Sequence, residues 1–172
     1  MILSVHATFG AAVASLVPNH PVAGFVLGFI SHLALDAIPH KDYELISLES
    51  TSIKKVSQIN LIINKFKLLR DIIFVFFDAL VGFCLAFLLF FNINHPWIFF
   101  IGAFSALIPD GLTFLYLLFK HKTLGHFFDF HTDFIHYKIH INQVLGVFAQ
   151  FCTITVLIAI MYLVKYFYVI YH

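Results

Sequence analysis

Residues 71–91 read Asp-Ile-Ile-Phe-Val-Phe-Phe-Asp-Ala-Leu-Val-Gly-Phe-Cys-Leu-Ala-Phe-Leu-Leu-Phe-Phe, an apolar run broken only by two aspartates. A run of this length matches the roughly 20 residues that an α-helix needs to cross a bilayer. The rest of the chain follows the same pattern. Of its 172 residues 61% are hydrophobic and only 11% charged, against roughly 25% charged in an ordinary soluble domain. A soluble fold this small leaves too much surface in water to hide that much apolar area. Composition therefore excludes an ordinary soluble globular protein and a disordered chain. The net charge of +1 provides no general attraction for nucleic acid.

Hydropathy and proline placement predict an all-α, polytopic transmembrane bundle forming one integral-membrane domain over 1–172, with the lipid bilayer as its first partner. About five membrane helices are expected, over 2–17, 21–38, 71–91, 96–119 and 141–170, the first two forming a tight hairpin that crosses only in part. The turns Pro18-Asn19-His20-Pro21 and Asn92-Ile93-Asn94-His95-Pro96 hold no Lys or Arg. The loops 39–70 and 120–140 hold nine between them, including Lys41, Lys54, Lys65, Arg70, Lys120 and Lys138. Positive charge marks the cytoplasmic side, so these loops and the N-terminus are expected in the cytoplasm, in an inner cell membrane. The first residues lack a basic flank and carry His6, so no cleavable signal is expected. Apolar residues from Ile53 to Leu69 recur at helical spacing with lysines between them, which predicts an amphipathic helix, on the inner leaflet or docked on the bundle. Cys84 and Cys152 lie in apolar runs and are read as reduced. The stretch from Gly28 to Asp36 aligns with that from Gly102 to Asp110. Gly, Ser, Leu and Asp coincide, each stretch follows an Asn-His-Pro turn, and the match suggests two related hairpins.

Ionisable residues within such helices cost about 2.5 kcal/mol or more and mark functional sites. His6, His32, Asp36, Asp78 and Asp110 all fall toward the expected cytoplasmic ends, with His40 just beyond helix two. A shared polar cavity open to the cytoplasm explains that asymmetry. His32 and Asp36 stand four apart, on one helix face, where imidazole and carboxylate suit a divalent metal or simply satisfy one another. His126, Asp129, Asp133, His136 and His140 form a second stripe at helical spacing. It fits either an interfacial helix or ligands for Zn, Mn or Fe. Asp71 reads as a helix cap. Asp78 has no such role and is expected to pair with a histidine or a metal. There is no GxSxG, P-loop or HExxH motif.

Ser31-His32-Leu33-Ala34-Leu35-Asp36 resembles the Ser-His-x-x-x-Asp signature of the membrane-bound metal-dependent hydrolases, a family regarded as similar to zinc-dependent phospholipases C. His6 is similar to that family's early histidine, Pro109-Asp110 to its Pro-Asp helix end, and His131 with His136 to its paired histidines. Gly111-Leu112 and Thr132-Asp133 depart from those motifs. The resemblance implies metal-assisted hydrolysis of a phosphoester, with a phospholipid among the candidate substrates. His6, His32, Asp36 and His136 would hold a divalent metal, Zn foremost, with Mn or Fe as alternatives. Asp78 or Asp110 would orient water or accept its proton, and His40 would assist the leaving group. Three other readings stand beside it: a structural protein whose buried polar groups pair helices, an ion or proton relay through the same acids, and a haem held between His6 and His32.

Overall fold

In a computed structural model of the chain, the structure describes residues 2–38, 40, 46, 65–135 and 143–171. Among these residues six α-helices follow in order. They are α1 (Leu3–Ala14), α2 (Pro21–Asp36), α3 (Lys65–Phe90), α4 (Ile98–Phe119), α5 (Lys122–Asp129) and α6 (Gln143–Tyr171), with a π-helical turn at Phe130–Ile135 before the last. Pro21 opens α2, where a missing amide costs nothing and a fixed φ helps.

Three helices, α3, α4 and α6, are long and apolar enough to cross a membrane. Only 11% of the most hydropathic window of α3, and 18% of that of α6, is buried inside the protein. A soluble bundle would turn these faces inward. Here Phe66, Phe76, Leu88, Val144 and Leu163 point outward, so hydrocarbon is their solvent and the chain is a membrane protein. Cys84 and Cys152 are exposed free thiols.

The five expected crossings become three helices of spanning length and two short ones. α1 has 12 residues and α2 has 16; at 1.5 Å per residue they reach about 18 and about 24 Å, short of a core about 30 Å thick. α1 is short because it is a core helix. Ten of its twelve residues are buried, and it packs against α2, α3, α4 and α6. α3 is already helical at Lys65, before 71, so Asp71 lies inside the helix, with its carboxylate 3.6 Å from Arg70. Most of the expected amphipathic helix, residues 53–64, lies outside the described residues.

Lipid gives helices little hydrophobic reason to associate, so close backbone approach must hold them together. A β-carbon on Gly102 would collide with the Gly10 carbonyl and stand 2.5 Å from Ala14 Cβ. α1 and α4 therefore meet backbone to backbone, among the fully buried Ala7, Ala11, Ala12 and Ala103. A second seam joins α2 to α4, where a β-carbon on Gly28 would lie 2.6 Å from the Gly102 carbonyl oxygen. The aligned stretches are built alike at this seam. Ser31 Oγ donates to the Gly28 carbonyl at 2.7 Å, and Ser105 Oγ to that of Gly102 at 3.0 Å.

Asp78 has a place different from the one expected. Its Oδ2 accepts the Ser4 amide at 3.1 Å, satisfying one of the free donors at the start of α1. A carboxylate from α3 thus caps α1 across the bundle, two residues before His6. Depth in the membrane could not separate this role from a catalytic one. Asp78→Ala is expected to lower stability by about 0.5–2 kcal/mol, the usual range for a lost cap, in reversible unfolding from mixed micelles. Asp78→Asn, which keeps an acceptor oxygen, should recover most of the loss.

Candidate metal centre

α2 ends on Asp36, and the side chain of this last residue is fully buried where α1, α2, α4 and the π-helical turn converge. Four imidazoles turn Nε2 toward its carboxylate. His32, one helical turn earlier, stands 2.9 Å from Oδ2, and His131, from the π-helical turn, also stands 2.9 Å from Oδ2. On the other oxygen, His6 lies 3.1 Å and His40 3.7 Å from Oδ1. Asp110, on α4, places Oδ1 3.6 Å from His32 Nε2.

The ring nitrogens on the far side are anchored. His32 Nδ1 donates to the Ala106 carbonyl at 2.7 Å. That carbonyl lies in the turn before the buried Pro109, whose ring has no amide to offer the preceding turn and crowds it. His40 Nδ1 donates to the Ile38 carbonyl at 2.7 Å. His131 Nδ1 stands 3.1 Å from the Thr113 hydroxyl. Backbone and hydroxyl partners of this kind orient metal-binding histidines.

His131 reaches the cluster because the chain doubles back. Lys120 ends α4 in a left-handed conformation, φ 50°, and α5 then packs along α4, with the Phe128 ring tilted against that of Tyr116 at 4.6 Å between centroids. The π-helical turn next alters the register. An α-helical reading puts His126, Asp129, Asp133, His136 and His140 on one stripe. In the structure His126 and Asp129 are exposed, while His131, off that stripe, is 1% exposed. Single π turns interrupt α-helices frequently at functional sites. His136 and His140 lie outside the described residues, so the expected ligand His136 has no structural counterpart here. His131, the first of the paired histidines, enters the cluster. Thr113, its partner, carried no sequence signal at all.

The three ligand atoms around Oδ2 form a nearly regular triangle. The His32 and His131 Nε2 atoms are 3.1 Å apart, and each is 2.9 Å from Asp36 Oδ2. Adjacent ligands about 2.1 Å from a six-coordinate ion stand about 3.0 Å apart, and about 3.4 Å in a tetrahedral site. His32, Asp36, Asp110 and His131 each bring a ligand atom within 4.8 Å of all the others. The donor set suits Zn, Mn or Fe. The tautomers point the same way. His32 faces an acceptor with both nitrogens, the Ala106 carbonyl and the Asp36 carboxylate, so a neutral ring leaves a lone pair aimed at the triangle. Either a proton on each side or a cation at Nε2 satisfies it. The His6 and His32 rings stack with centroids 3.9 Å apart, which leaves no space for a porphyrin between them and removes the haem reading.

The chain matches no protein-family model, no curated protein and no solved structure. The site's geometry is therefore the ground for a functional reading.

Ordinary interhelical hydrogen bonds in membrane proteins average about 0.6 kcal/mol, whereas stripping one partner from a buried charged network costs about 3–5 kcal/mol. Asp36→Ala in the metal-free protein is expected to fall in the second range, measured by reversible unfolding in mixed micelles. A loss near the first value would make Asp36 one helix-pairing residue among many.

Proposed function

We propose that the chain is a membrane-embedded, metal-dependent hydrolase of phosphoesters, with a phospholipid as the favoured substrate class. The observation that carries this reading is the triangle of His32 Nε2, His131 Nε2 and Asp36 Oδ2, with edges of 2.9–3.1 Å and anchored imidazoles behind it. A divalent cation held there, Zn foremost, supplies Lewis acidity to a phosphoryl oxygen and acidity to a water. The resemblance of residues 31–36 to the membrane-bound metal-dependent hydrolases supports the same chemistry.

In this reading Asp110 handles the proton. Its side chain is 32% exposed, while those of His6, His32 and Asp36 are fully buried. Beside it a β-carbon on Gly111 would meet nothing within 4 Å. The cluster thus opens along the Asp110–Gly111 face of α4. Asp110 lies nine residues before the end of this helix at Phe119, about 14 Å along its axis. A substrate entering from the bilayer, headgroup first, fits an opening at that depth. The basic loops 39–70 and 120–140 support a cytoplasmic placement of this end, with the N-terminus on the same side of an inner membrane.

A second reading has its own support. The same contacts tie α1, α2, α4 and the π-helical turn together, as a purely structural polar clamp would, and the acids could also relay ions.

Metal content separates these readings. Protein purified in detergent without a histidine tag, stripped and then equilibrated with Zn2+, is expected to retain at least one ion per chain, and His131→Ala to lose retention. A folded wild type that retains none rules out the hydrolase. Asp110→Asn is expected to keep the metal and lower turnover of a phosphodiester lipid in mixed micelles by at least about 100-fold, the lower range for general acid–base catalysis.

A further inference from the structure

On α4 the residues Phe100, Phe104, Ile108, Gly111, Leu115 and Leu118 follow one another at intervals of three and four, the spacing of one helix face. Phe100, Phe104, Leu115 and Leu118 are exposed, so this row meets hydrocarbon. Gly111 is its one member without a side chain. It is exposed, and a β-carbon there would meet nothing within 4 Å. Gly10, Gly24, Gly28, Gly82 and Gly102 are different: at each of them a β-carbon would press on a neighbouring helix. Packing explains those glycines and not Gly111, although glycine is among the poorest helix formers. The gap adjoins Asp110, the half-exposed member of the metal-ligand group. Depth agrees with a lipid at this place. Phe100 stands about 16 Å along the axis from Gly111, close to half of a hydrocarbon core about 30 Å thick. α2, which turns Val26 and Ile30 outward, ends at Asp36, level with Asp110. At about 24 Å it is shorter than that core, and a short helix thins the bilayer around it. Headgroups are thereby brought down to the site.

We propose that Gly111 selects the substrate: the gap it leaves in the outward row of α4 admits the glycerol-ester portion of a diacyl phospholipid sideways from the bilayer, with the acyl chains along Ile108, Phe104 and Phe100. The phosphate then lies beside Asp110. The rings of Phe100 and Phe104 run nearly parallel, with planes inclined by 9° and centroids 6.1 Å apart, and a hydrocarbon chain can lie against both. A leucine at 111 would lean back over the preceding turn and join Ile108 to Leu115 in an unbroken apolar row, closing the path of the polar ester groups. A soluble phosphodiester makes none of these contacts, so the gap matters for a substrate anchored in the bilayer. The proposal rests on the hydrolase reading and adds to it a two-chain substrate, a direction of entry and the residue that controls it.

Two measurements on the untagged full-length protein test it. Zn2+-loaded wild type, Gly111→Ala and Gly111→Leu are compared for turnover of phosphatidylglycerol in mixed micelles and of bis(p-nitrophenyl) phosphate in the same detergent. Both variants have open space at 111 and a better helix former there, so both should fold. The ratio of lipid to soluble turnover is expected to fall with side-chain size, by about 10-fold or more for leucine, the scale of one overpacked contact. An unchanged ratio overturns the role of Gly111. The second measurement needs no turnover. Metal-stripped protein is irradiated with a diacyl phosphatidylglycerol carrying a diazirine beside its ester, and adducts are mapped by peptide mass spectrometry. Wild type is expected to carry adducts on Asp110, and Gly111→Leu to lose most of them. Equal labelling of the two overturns entry through this gap. Labelling that Gly111→Leu removes, with no turnover of either diester by loaded wild type, leaves the entry path and overturns the hydrolase reading. Neither labelling nor turnover overturns both.

Discussion

A carboxylate with no exposure, in a protein surrounded by lipid, is the constraint on which the rest of the arrangement depends. Taking one such ion out of water costs several kcal/mol even after relaxation, and only close, well-oriented partners offset the cost. Asp36 gathers them from four places: His6 in α1, His32 in its own helix, His40 just past that helix, and His131 from the π-helical turn. Each partner demands something of the backbone that carries it. α1 must lie in the middle of the bundle, α4 must offer its Ala106 carbonyl to His32, and the segment after α4 must fold back far enough for His131 to reach inward. The left-handed Lys120 and the π-helical register read as consequences of that last demand.

The two aligned stretches separate frame from chemistry. Gly28 and Gly102 meet at the crossing of α2 and α4, each followed by a serine bonded back to the glycine carbonyl three residues earlier. The two Asn-His-Pro turns lie together at one end, where Pro18, Asn19, Asn94 and His95 line a shared hollow. Asp36 and Asp110 meet at the other. The likeness stops at the position of the histidine. Where α2 has His32, α4 has Ala106, and the ring of the first donates to the backbone of the second. Symmetry holds the helices at contact distance. The departure from symmetry makes one carboxylate the buried centre and leaves the other, Asp110, at the accessible edge.

Much of this was legible in the chain. The long apolar helices follow from hydropathy, because in lipid every backbone group must be satisfied within its own segment. The His32–Asp36 pair follows from helical spacing, and His6 from the cost of an imidazole in an apolar run. Other features were hidden for definable reasons. Asp78 and Asp110 are both single acids in apolar helices, and only the tertiary contact with the Ser4 amide distinguishes a cap from a site residue. α1 has the composition of a membrane helix because a helix buried in protein on all sides and one buried in lipid are both apolar all round. His131 was concealed by the π turn, which breaks the 3.6-residue period on which the stripe through His126 and Asp129 was read.

Rigidity at the glycine seams and geometry at the site are a single property of this fold. The His32–Ala106 bond lies one turn from the crossing where Gly28 and Gly102 touch, and the ring it orients forms one corner of the triangle with edges near 3 Å. A methyl group at Gly28 would meet the Ser105 hydroxyl and behind it the Gly102 carbonyl, and one at Gly102 the Gly10 carbonyl, so at both positions it runs into the backbone of a neighbouring helix. The helices would have to part by a substantial fraction of an ångström, and productive sites tolerate displacements of only about 0.5 Å. Small residues with no chemical group of their own thus carry a functional constraint as well as a packing one. In water a bundle could be held by hydrophobic burial and tolerate some looseness at the crossing. In lipid the close contact is itself the adhesive, so the interaction that assembles the bundle is also the one that sets the distances among its histidines.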